Sequence, residues 1–412
     1  MSVVVQSQPE DYGLAHNDNP FVFFSTAYTA TQRFKVVILP AGYPAIPALS
    51  TARVYPRQAI TSGGVVQENK AFYDPSRILQ SQLAATVSIP AVNHVGVFDN
   101  PNIHQEYALF IQEEDLVGGV YVGGASWISD SKSVWNGVRN KVDWLTFDVD
   151  DYDMKTPNAG KKFLSDAHTT RYINTNQSAF LDFLCSDLTL TKMGVISYDA
   201  DGVELQNGYM DASILTDAYG RLACGTYDLV NSAAASWTDT TPSTVIDGAS
   251  YYDVTVSGGD TQESIRFYID AKCSKYEPIR LHWLNRLGGF DSFNFNLKSE
   301  EETNIKRATY LQEEHNFTGT NWEYTSQSRG TTDYHITTQD KLTINTDYLT
   351  EAESTWMNDF ASSPVVFQEV NNTLIAMSGK PKMIGKQTSL NDKLMQYTFE
   401  LDYSLTNNRQ RG

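Results

Sequence analysis

The clearest structural pattern in this 412-residue chain lies in Tyr276-Glu-Pro-Ile-Arg-Leu-His-Trp-Leu-Asn-Arg-Leu-Gly-Gly-Phe-Asp-Ser-Phe-Asn-Phe-Asn-Leu297. Apolar and polar side chains roughly alternate from Ile279 to Leu284, which is the period of a strand with one buried face. Gly288-Gly289 ends the alternation, as a tight turn that requires a positive φ would. A second alternation, between Phe290 and Leu297, indicates a strand that returns along the first. The stretch is therefore predicted to form a β-hairpin with an aromatic buried face, and it contains no nucleophile, metal-ligand cluster or phosphate-binding loop.

Length and composition favour several β-rich domains. A chain of 412 residues exceeds the size of one ordinary hydrophobic core, so two or three domains are expected. The 41% of apolar residues suffices for packed cores. The 12% of aromatic residues favours strands, on whose pleated surfaces flat rings pack well.

The charge balance argues against binding to nucleic acid or to a membrane surface. Lys and Arg number 31 against 49 Asp and Glu, which gives a formal net charge of −18. Such a field repels phosphate backbones and anionic lipids, and no run of basic residues offsets it. We therefore expect no sequence-specific nucleic-acid partner. Solubility explains the acidity better than a cation-rich partner or an ion-lined channel does.

Cysteine usage and the first residues indicate a protein that folds in the cytoplasm where it is made. Cys185, Cys224 and Cys273 are an odd number without a CxxC motif, so neither a disulfide framework nor a zinc site is expected. Residues 1–10 lack the basic region and apolar core of a signal peptide. No run reaches the roughly 18 apolar residues that span a bilayer, so no membrane anchor is predicted.

The succession of short strand patterns and turns predicts a mainly β protein. We expect a multi-domain β-sandwich or barrel body and a C-terminal β-sandwich that carries one helix. The predicted segments are an N-terminal arm (1–19), a β-sandwich domain (20–190), a second β region ending in the aromatic hairpin (191–297), a C-terminal β domain (298–406) with a helix at 349–361, and a tail (407–412).

Local signals predict individual elements within these segments. Asp74 as N-cap and Pro75 as first helical residue predict a helix that runs to Leu83. Thr350 and Glu353 form a capping box at the start of the C-terminal helix. Further predictions are a strand pair at 20–25 and 33–39, strands at 117–122, 225–230, 333–338, 341–345 and 383–387, a short helix at 178–184, a charged boundary segment at 298–306, and hairpin turns at 199–202 and 371–372.

Three segments resemble reactive motifs, and each has a simpler explanation. Asp148–Asp153 is the densest carboxylate cluster, but it lacks the glycine and the glutamate that an EF-hand needs at loop positions six and twelve. A solvated acidic loop explains it better. Gly124–Ile128 begins like a nucleophile elbow around Ser126, but it lacks the second glycine and the following helix. Asp199–Gly202 is explained as a turn.

The histidines and carboxylates show no catalytic or metal-binding spacing. No two histidines fall at a metal-ligand spacing such as HxxxH; they are His16, His94, His104, His168, His282, His315 and His335. His282 alternates with apolar neighbours and is predicted to be a packed or interface histidine rather than a general base. Carboxylate pairs for glycoside hydrolysis are assembled in space, so the 49 carboxylates carry almost no information about that chemistry. We predict no catalytic, cofactor-binding or metal-binding residue, and no cofactor.

A set of phrases occurs in order over nearly the whole chain. They are Asn19-Pro-Phe-Val-Phe23, Phe34-Lys-Val-Val37, Phe72-Tyr-Asp-Pro-Ser-Arg-Ile-Leu-Gln80, Trp135-Asn-Gly-Val138, Cys273-Ser-Lys-Tyr276 followed by Ile279 to Phe295, Ser363-Pro-Val-Val-Phe367, and the strand Leu394–Tyr403. Leu284-Asn-Arg-Leu-Gly-Gly-Phe-Asp291 is the most specific part of the set. With these phrases the chain resembles a virion protein family of tailed bacteriophages, particularly those that infect Bacteroidetes, including crAss-like phages.

The resemblance implies a β-rich structural component of a phage tail, tail hub or neck, similar in kind to distal tail proteins and with a tail-tube-like C-terminal domain. Such proteins assemble as rings and carry no catalytic residues. We therefore expect a non-enzymatic virion structural protein. It would form a homo-oligomeric ring of six or twelve copies that docks neighbouring tail or neck proteins. An acidic lumen would let DNA slide past during ejection, which outward-facing acidic residues in an assembled ring would contradict.

Two other function classes stay open. A receptor- or glycan-binding tail module predicts exposed Trp and Tyr clusters at one loop end and sugar-dependent thermal shifts. A tail-associated glycan hydrolase predicts the release of reducing ends from a host capsule, abolished by one carboxylate substitution. Most aromatic residues fall on alternating strand positions, which favours core packing over a glycan platform.

Overall fold

The structure is a computed structural model of the chain. It describes residues 2–26, 31–42, 48–60, 66–83, 96–100, 103–155, 160–188, 190, 192–211, 215–231, 237–238, 241, 244–257, 263–270, 275–313, 315–317, 319–323, 326, 330–379 and 395–408.

Strands dominate the first part of the chain. In order, its elements are β1 (Val3–Ser7), β2 (Tyr12–Leu14), β3 (Phe21–Ser25), β4 (Arg33–Pro40), β5 (Ser50–Val54), β6 (Arg57–Ile60), β7 (Val66–Tyr73), α1 (Ser76–Leu83), β8 (Gly96–Asp99), β9 (His104–Val117), β10 (Val120–Ile128), β11 (Lys132–Trp135) and α2 (Lys141–Trp144), followed by a 3-10 turn at Val149–Asp151.

The rest of the chain continues the same pattern. Its elements are β12 (Thr170–Ile173), β13 (Phe180–Leu184), β14 (Lys192–Tyr198), β15 (Glu204–Asp211), β16 (Tyr219–Ala223), α3 (Thr226–Val230), β17 (Trp237–Thr238), β18 (Tyr251–Ser257), β19 (Ser264–Ile269), β20 (Ile279–Leu284), β21 (Phe290–Phe295), β22 (Glu300–Leu311), β23 (Asn316–Phe317), β24 (Trp322–Glu323), β25 (Thr331–Asn345), α4 (Glu351–Ser362), β26 (Val366–Val370), β27 (Thr373–Gly379), β28 (Thr398–Tyr403) and β29 (Asn407–Asn408).

Strand pairing builds three units. The N-terminal sandwich contains sheet A (β1-β3-β7-β6) and sheet B (β2-β11-β9-β4-β5, with β10 paired to β9). The central sandwich contains sheet C (β12-β19-β18-β14-β15-β17) and sheet D (β13-β16-β8). The C-terminal unit is sheet E (β21-β20-β26-β27-β28-β25-β22, with β29 paired to β25) and helix α4. The mainly β prediction is confirmed. Within the described residues no sheet closes on itself, so the body has the sandwich form of the prediction and not the barrel form. The predicted C-terminal β-sandwich is instead one sheet that packs against α4.

Each unit has its own apolar core, built from the alternating residues of its strands. Sheets A and B share a core with α1, in which the rings of Phe23 and Phe34 meet edge to face 5.0 Å apart. Sheets C and D share a second core, in which Tyr252 stacks on Phe267. Sheet E packs against α4, whose Phe360 lies inside that third core. The period-two pattern gives each sheet one apolar face. The sheets pack in layers because each apolar face must be covered by another sheet or a helix.

Both helices with capping signals are confirmed, and they begin one and two residues after their predicted starts, at Ser76 and Glu351. The Asp74 carboxylate accepts a hydrogen bond from the backbone N–H of Ser76, at the start of α1. Thr350 and Glu353 form the predicted capping box of α4, with Thr350 N–H donating to Glu353 Oε2 at 2.8 Å. The buried face of α4 includes Trp356, as expected from its spacing.

Several local predictions are wrong, and tertiary packing explains most of them. The predicted helix at 178–184 contains strand β13, whose residues Phe180–Leu184 are buried on both faces. The predicted strand at 225–230 is helix α3, started by Asp228, which accepts from the Gly225 N–H. The predicted strand 117–122 contains the β9–β10 turn, because Gly118 and Gly119 have φ values of +60° and +83°. The predicted pair at 20–25 and 33–39 is split, since β3 lies in sheet A and β4 in sheet B.

In the C-terminal half, pairing extends strands beyond their predicted ends. The segment 298–306, predicted as a charged boundary, holds the start of β22. The strands predicted at 333–338 and 341–345 form the single strand β25. The turns predicted at 199–202 and 371–372 are confirmed as hairpin turns, with positive φ at Gly202, Asn371 and Asn372. The strand predicted at 383–387 lies outside the described residues.

Strands from both sides of each predicted boundary share sheets. Sheet D joins β8 and β13 to β16 across residue 190, and sheet E joins β20 and β21 to β22 across residue 297. The expected N-terminal arm supplies β1 to sheet A and β2 to sheet B, and Val3 is buried. Its described residues therefore pack on the body, because the run of valines that starts at Val3 has strand propensity and an apolar core to cover. In the predicted tail, β29 pairs with β25.

Candidate functional site

The hairpin β20–β21 is confirmed, but it is buried on both faces rather than one. Its register runs from Ile279 opposite Phe295 to Leu284 opposite Phe290, and every residue of β20 is buried. One face of β20 carries Trp283, whose ring lies 5.0 Å from that of Trp356 on α4. The other face carries polar residues, and it packs against the central sandwich.

Arg280 occupies the centre of this buried polar face, with 2% of its surface exposed. Its guanidinium donates to the carbonyl of Ser178 at 2.8 Å, to Asn294 Oδ1 at 2.9 Å and to Ser292 Oγ at 2.7 Å. Glu369 on the neighbouring strand β26 lies directly opposite, with 3.5 Å between Arg280 Nε and Glu369 Oε2. Burial lowers the pKa of Arg280, and the Glu369 carboxylate opposes that shift. The guanidinium thus joins two strands of sheet E to the segment that precedes β13.

Glu369 and His282 complete the same network. The Glu369 carboxylate accepts from the Ser178 N–H at 3.0 Å and lies 2.8 Å from His282 Nε2. Burial lowers the pKa of His282, so the ring is neutral at pH 7, and Nε2 then carries the proton donated to Glu369. His282 Nδ1 is buried without a hydrogen-bond partner. The prediction of a packed histidine is confirmed, since His282 is fully buried.

Asp228 extends the network into the central sandwich. Its carboxylate accepts from Ser178 Oγ and from the Ala179 N–H, both at 3.0 Å. Burial raises the pKa of Asp228 to about 7. The Ser178–Ala179 segment is therefore hydrogen-bonded on two sides, to side chains of sheet E and to Asp228 near the N-terminus of α3.

Two further buried carboxylates hold β21. Asp182 on β13 accepts from the Phe290 N–H at 2.9 Å and from Arg221 Nε at 2.7 Å. Asp291 accepts from Trp356 Nε1 at 2.9 Å, and burial raises its pKa. A carboxylate buried in this way is tolerated only when its lone pairs are occupied by donors, so these bonds define one relative position of sheet D, β21 and α4.

The hairpin turn Asn285–Gly289 is the joint between all three units. The Asn285 side chain accepts from the N–H groups of Leu287 and Gly289 and donates to the Leu164 carbonyl. Trp135 of the N-terminal sandwich donates its indole N–H to the Leu287 carbonyl at 2.8 Å. Gly288 has a φ of +82°, and a Cβ there would lie 2.4 Å from the Asn136 carbonyl oxygen. The turn therefore requires glycine twice over, for its backbone angle and for the space.

An open cleft of about 470 Å³ lies beside this network. Amide and carboxylate side chains line it together with Tyr403; they include Asn176, Gln177, Glu277, Glu301, Gln368 and Asn371. Arg280 and Glu369 reach its floor, where they are already engaged with each other and with Ser178. The cleft can offer amide donors and acceptors to a neutral polar ligand.

The acidic cluster is only partly the solvated loop that was predicted. Asp148, Asp150 and Asp151 are exposed, but Asp153 is buried and accepts from the Ser186 N–H and hydroxyl. Asp150 and Asp153 form ion pairs with Lys155, at 2.7 and 3.3 Å, so a cation of the chain itself lies in the cluster. The Asp199 carboxylate accepts backbone N–H groups of its turn. Ser126 lies within strand β10 and is not on an elbow.

The cysteines and the other histidines are dispersed. Cys185 and Cys224 are buried free thiols, and burial raises the pKa of Cys224. His104 stacks on Tyr219, while His94 and Cys273 lie outside the described residues. Across the described ranges, no group of three or more His, Cys, Asp or Glu side chains is arranged to hold a metal ion.

Two other parts of the molecule, the β9–β10 hairpin and strand β22, expose surface of a kind that a monomeric domain normally covers. At the β9–β10 turn, Val117 and Val120 are 62% and 66% exposed, and Leu116 and Val122 are exposed beside them. Strand β22 is exposed along almost its whole length and forms an edge of sheet E. Contiguous exposed apolar residues and open sheet edges are the usual marks of protein–protein contact.

Sequence reasoning missed Glu369, Asp182 and Asp228 as members of buried networks. One signal was available: Asp182 stands inside the otherwise apolar run Phe180–Leu184, and a charge in such a position needs a buried partner. The identity of the partner depends on pairing between strands that are far apart in the chain.

Comparison with known proteins found no family model and no curated protein that matches the chain. Within the described part of the chain, no helix has the length and apolar character of a membrane span.

Proposed function

We propose that the chain is a non-enzymatic structural protein of a phage virion. It would form a homo-oligomeric ring in the tail, tail hub or neck and dock neighbouring tail or neck proteins there. The proposal rests on the ordered phrases described above and on one structural observation, the exposed apolar tip of the β9–β10 hairpin.

The tip is apolar although nothing within the described chain covers it. The middle of β9 is buried in the N-terminal sandwich, for example at Leu109 and Ile111, whereas Val117 and Val120 project past the sheet. Burying apolar surface contributes roughly 25 cal/mol per Å². A hairpin that ends in valines is therefore stabilised when a neighbouring subunit covers it.

The interior supports the same proposal. Buried charges of the central and C-terminal units bond to one another around the hairpin, and Trp135 of the N-terminal sandwich bonds to its Asn285–Gly289 turn, so the body presents its projecting hairpins in one orientation. Ring closure demands such rigidity, because a heterologous contact closes into a ring only if each copy repeats the same rotation. Fixed relative positions of the units favour a closed ring over an open filament.

Mass photometry and negative-stain imaging of the purified chain test the proposal. We expect rings of six or twelve copies for the parent chain. Val117→Glu should reduce them to smaller species at an unchanged melting temperature, because a charge at the tip opposes burial but touches no core. Val203→Glu is the matched control, since Val203 is 58% exposed beside the Gly202 turn of another hairpin.

A persistent monomer would contradict the ring proposal. If that monomer gained thermal stability on addition of host capsule glycans, the amide-lined cleft would become the site of a receptor- or glycan-binding module. Release of reducing ends from the same glycans would indicate a hydrolase instead.

A further inference from the structure

Strand β22 forms a sheet edge whose outer side is unpaired within the described residues. It pairs with β25 on one side, and the strand order of sheet E ends there. The opposite edge strand, β21, is covered by the central sandwich through Asp182 and Arg221. As far as the structure describes the chain, sheet E therefore has one exposed edge, and β22 supplies it.

The charges along this edge are arranged symmetrically about Asn304. Glu301 and Glu302 precede it by three and two residues, and Lys306 and Arg307 follow it by two and three. Two antiparallel copies of β22 that cross at Asn304 place Glu302 opposite Lys306 and Glu301 opposite Arg307. Opposite residues in antiparallel strands have Cα atoms roughly 4.5–5.5 Å apart and point to the same face, so all four resulting pairs are attractive.

The backbone has the same centre as the charges. A register irregularity between Ala308 and Thr309 ends the regular part of β22, which begins at Glu300. The midpoint of Glu300–Ala308 is Asn304. If the register of the two strands shifts by two residues in one direction, Glu300 opposite Lys306 is the one kind of oppositely charged pair that remains. A shift by two residues in the other direction leaves no oppositely charged pair.

A row of alternating charges on sheet E ends at this edge. Lys341 on β25 lies between Glu400 of β28, at 3.1 Å, and Glu302 of β22, at 3.4 Å. Within the described chain Lys306 forms no ion pair. In the symmetric register, Lys306 of a second copy takes the next place in the row, beside Glu302.

We propose that β22 pairs with β22 of a second copy of this chain, antiparallel and centred on Asn304, so that sheet E continues across a two-fold axis. Charges on an edge strand usually block such pairing, because like charges meet. Here the order of the charges makes opposite charges meet. This contact goes beyond the proposed ring and does not depend on it, since a two-fold contact between equivalent strands can hold a free dimer or two stacked rings.

Charge exchange tests the proposal by analytical ultracentrifugation at low ionic strength, where exposed ion pairs are least screened. The parent chain should associate in pairs of its 46.0 kDa unit or, if rings form, in pairs of rings. Glu302→Lys and Lys306→Glu should each weaken this association roughly tenfold or more, because each puts like charges opposite each other. An equimolar mixture of the two variants should associate again, since each then meets its complement. Glu300→Lys is the control, because its opposite residue is Ala308.

Cysteine trapping checks the register. Asn304→Cys should form a disulfide between copies under mild oxidation, since opposite Cα atoms fall within the range of a disulfide. Ala308→Cys on the same face should not, because its equivalent lies far along the partner strand. Both are made in a Cys273→Ser background. A parent chain that stays unpaired at its highest soluble concentration, or a variant mixture that fails to reassociate, would overturn the proposal.

Discussion

Two hairpins of sheet E, joined by four residues of chain, have opposite environments. In β20–β21 nearly every residue is buried, and the polar ones are bonded across to the central sandwich. In β22–β25 the first strand is exposed on both faces, and its polar residues, such as Glu302 and Thr303, bond to β25. Backbone pairing alone therefore does not decide what a strand contributes to stability. What covers the strand does: β21 and β22 both lie at edges of sheet E, but β21 is buried against the central sandwich and β22 is exposed.

The two hairpins also differ in the environment of their ion pairs, which is buried in the first and exposed in the second. The side chains of Arg280 and Glu369 are buried, so each is costly to leave without the opposite charge. Arg307 forms its ion pair with Asp333 in contact with water, where such pairs contribute little. We infer that the first hairpin holds the chain together and the second is available to another molecule.

Replacing the buried arginine should produce the largest loss of stability. Arg280→Met leaves Glu369 buried next to an apolar chain and also removes the bonds to Ser178 and Asn294, so we expect a loss of about 3–5 kcal/mol. Arg307→Met on the exposed hairpin is the matched control and should change little. Urea denaturation measures both. Equal losses of unfolding free energy in the two variants would show that the difference in burial between the hairpins does not affect stability.

How far the sequence predicts this contrast can be judged residue by residue. The alternation from Ile279 to Leu284 and the Gly288-Gly289 pair are local signals, and they predicted the buried hairpin and its turn. The burial of Arg280 was not predictable in this way, because Ser178, one of its partners, lies about a hundred residues earlier in the chain. Strand β13 was misread as a helix for the same reason: burial on both faces removes the alternation that marks a strand.

The same distinction, between local signals and contacts with distant residues, applies to the candidate site. Capping and turn residues act on their immediate neighbours, so α4 and the Asn371-Asn372 turn were confirmed. Asp182 and Glu369 act on distant strands, and their roles needed coordinates. The symmetric charges of β22 are visible in the sequence, but they suggest pairing with a second copy only once the strand is known to lie at a sheet edge.

The turns of the two hairpin regions provide a second test. Gly288→Ala should cost about 2–4 kcal/mol, because the alanine is strained at a positive φ and its Cβ meets the Asn136 carbonyl. Gly319, in the β22–β25 connection, has a φ of +96° and no atom within 4 Å of an added Cβ. Gly319→Ala should therefore cost only the backbone strain, roughly 1 kcal/mol. If thermal unfolding gave the same loss for both, the proposed close approach of the Gly288 turn to the N-terminal sandwich would be refuted.

His282 of the buried hairpin provides the smallest and most selective test, through pH. Burial lowers the pKa of His282 below the ordinary value near 6.5. A histidine held neutral in the folded state contributes stability above about pH 6.5, and that contribution is lost as the pH falls below it, because the unfolded chain takes up the proton first. His282→Gln keeps a donor for Glu369 and removes the titration. In urea titrations, the parent should therefore lose more stability than the variant between pH 8 and pH 5. A parent chain that loses no more stability than His282→Gln on acidification would mean that His282 already exchanges protons with water, and that the face of β20 towards the central sandwich is open.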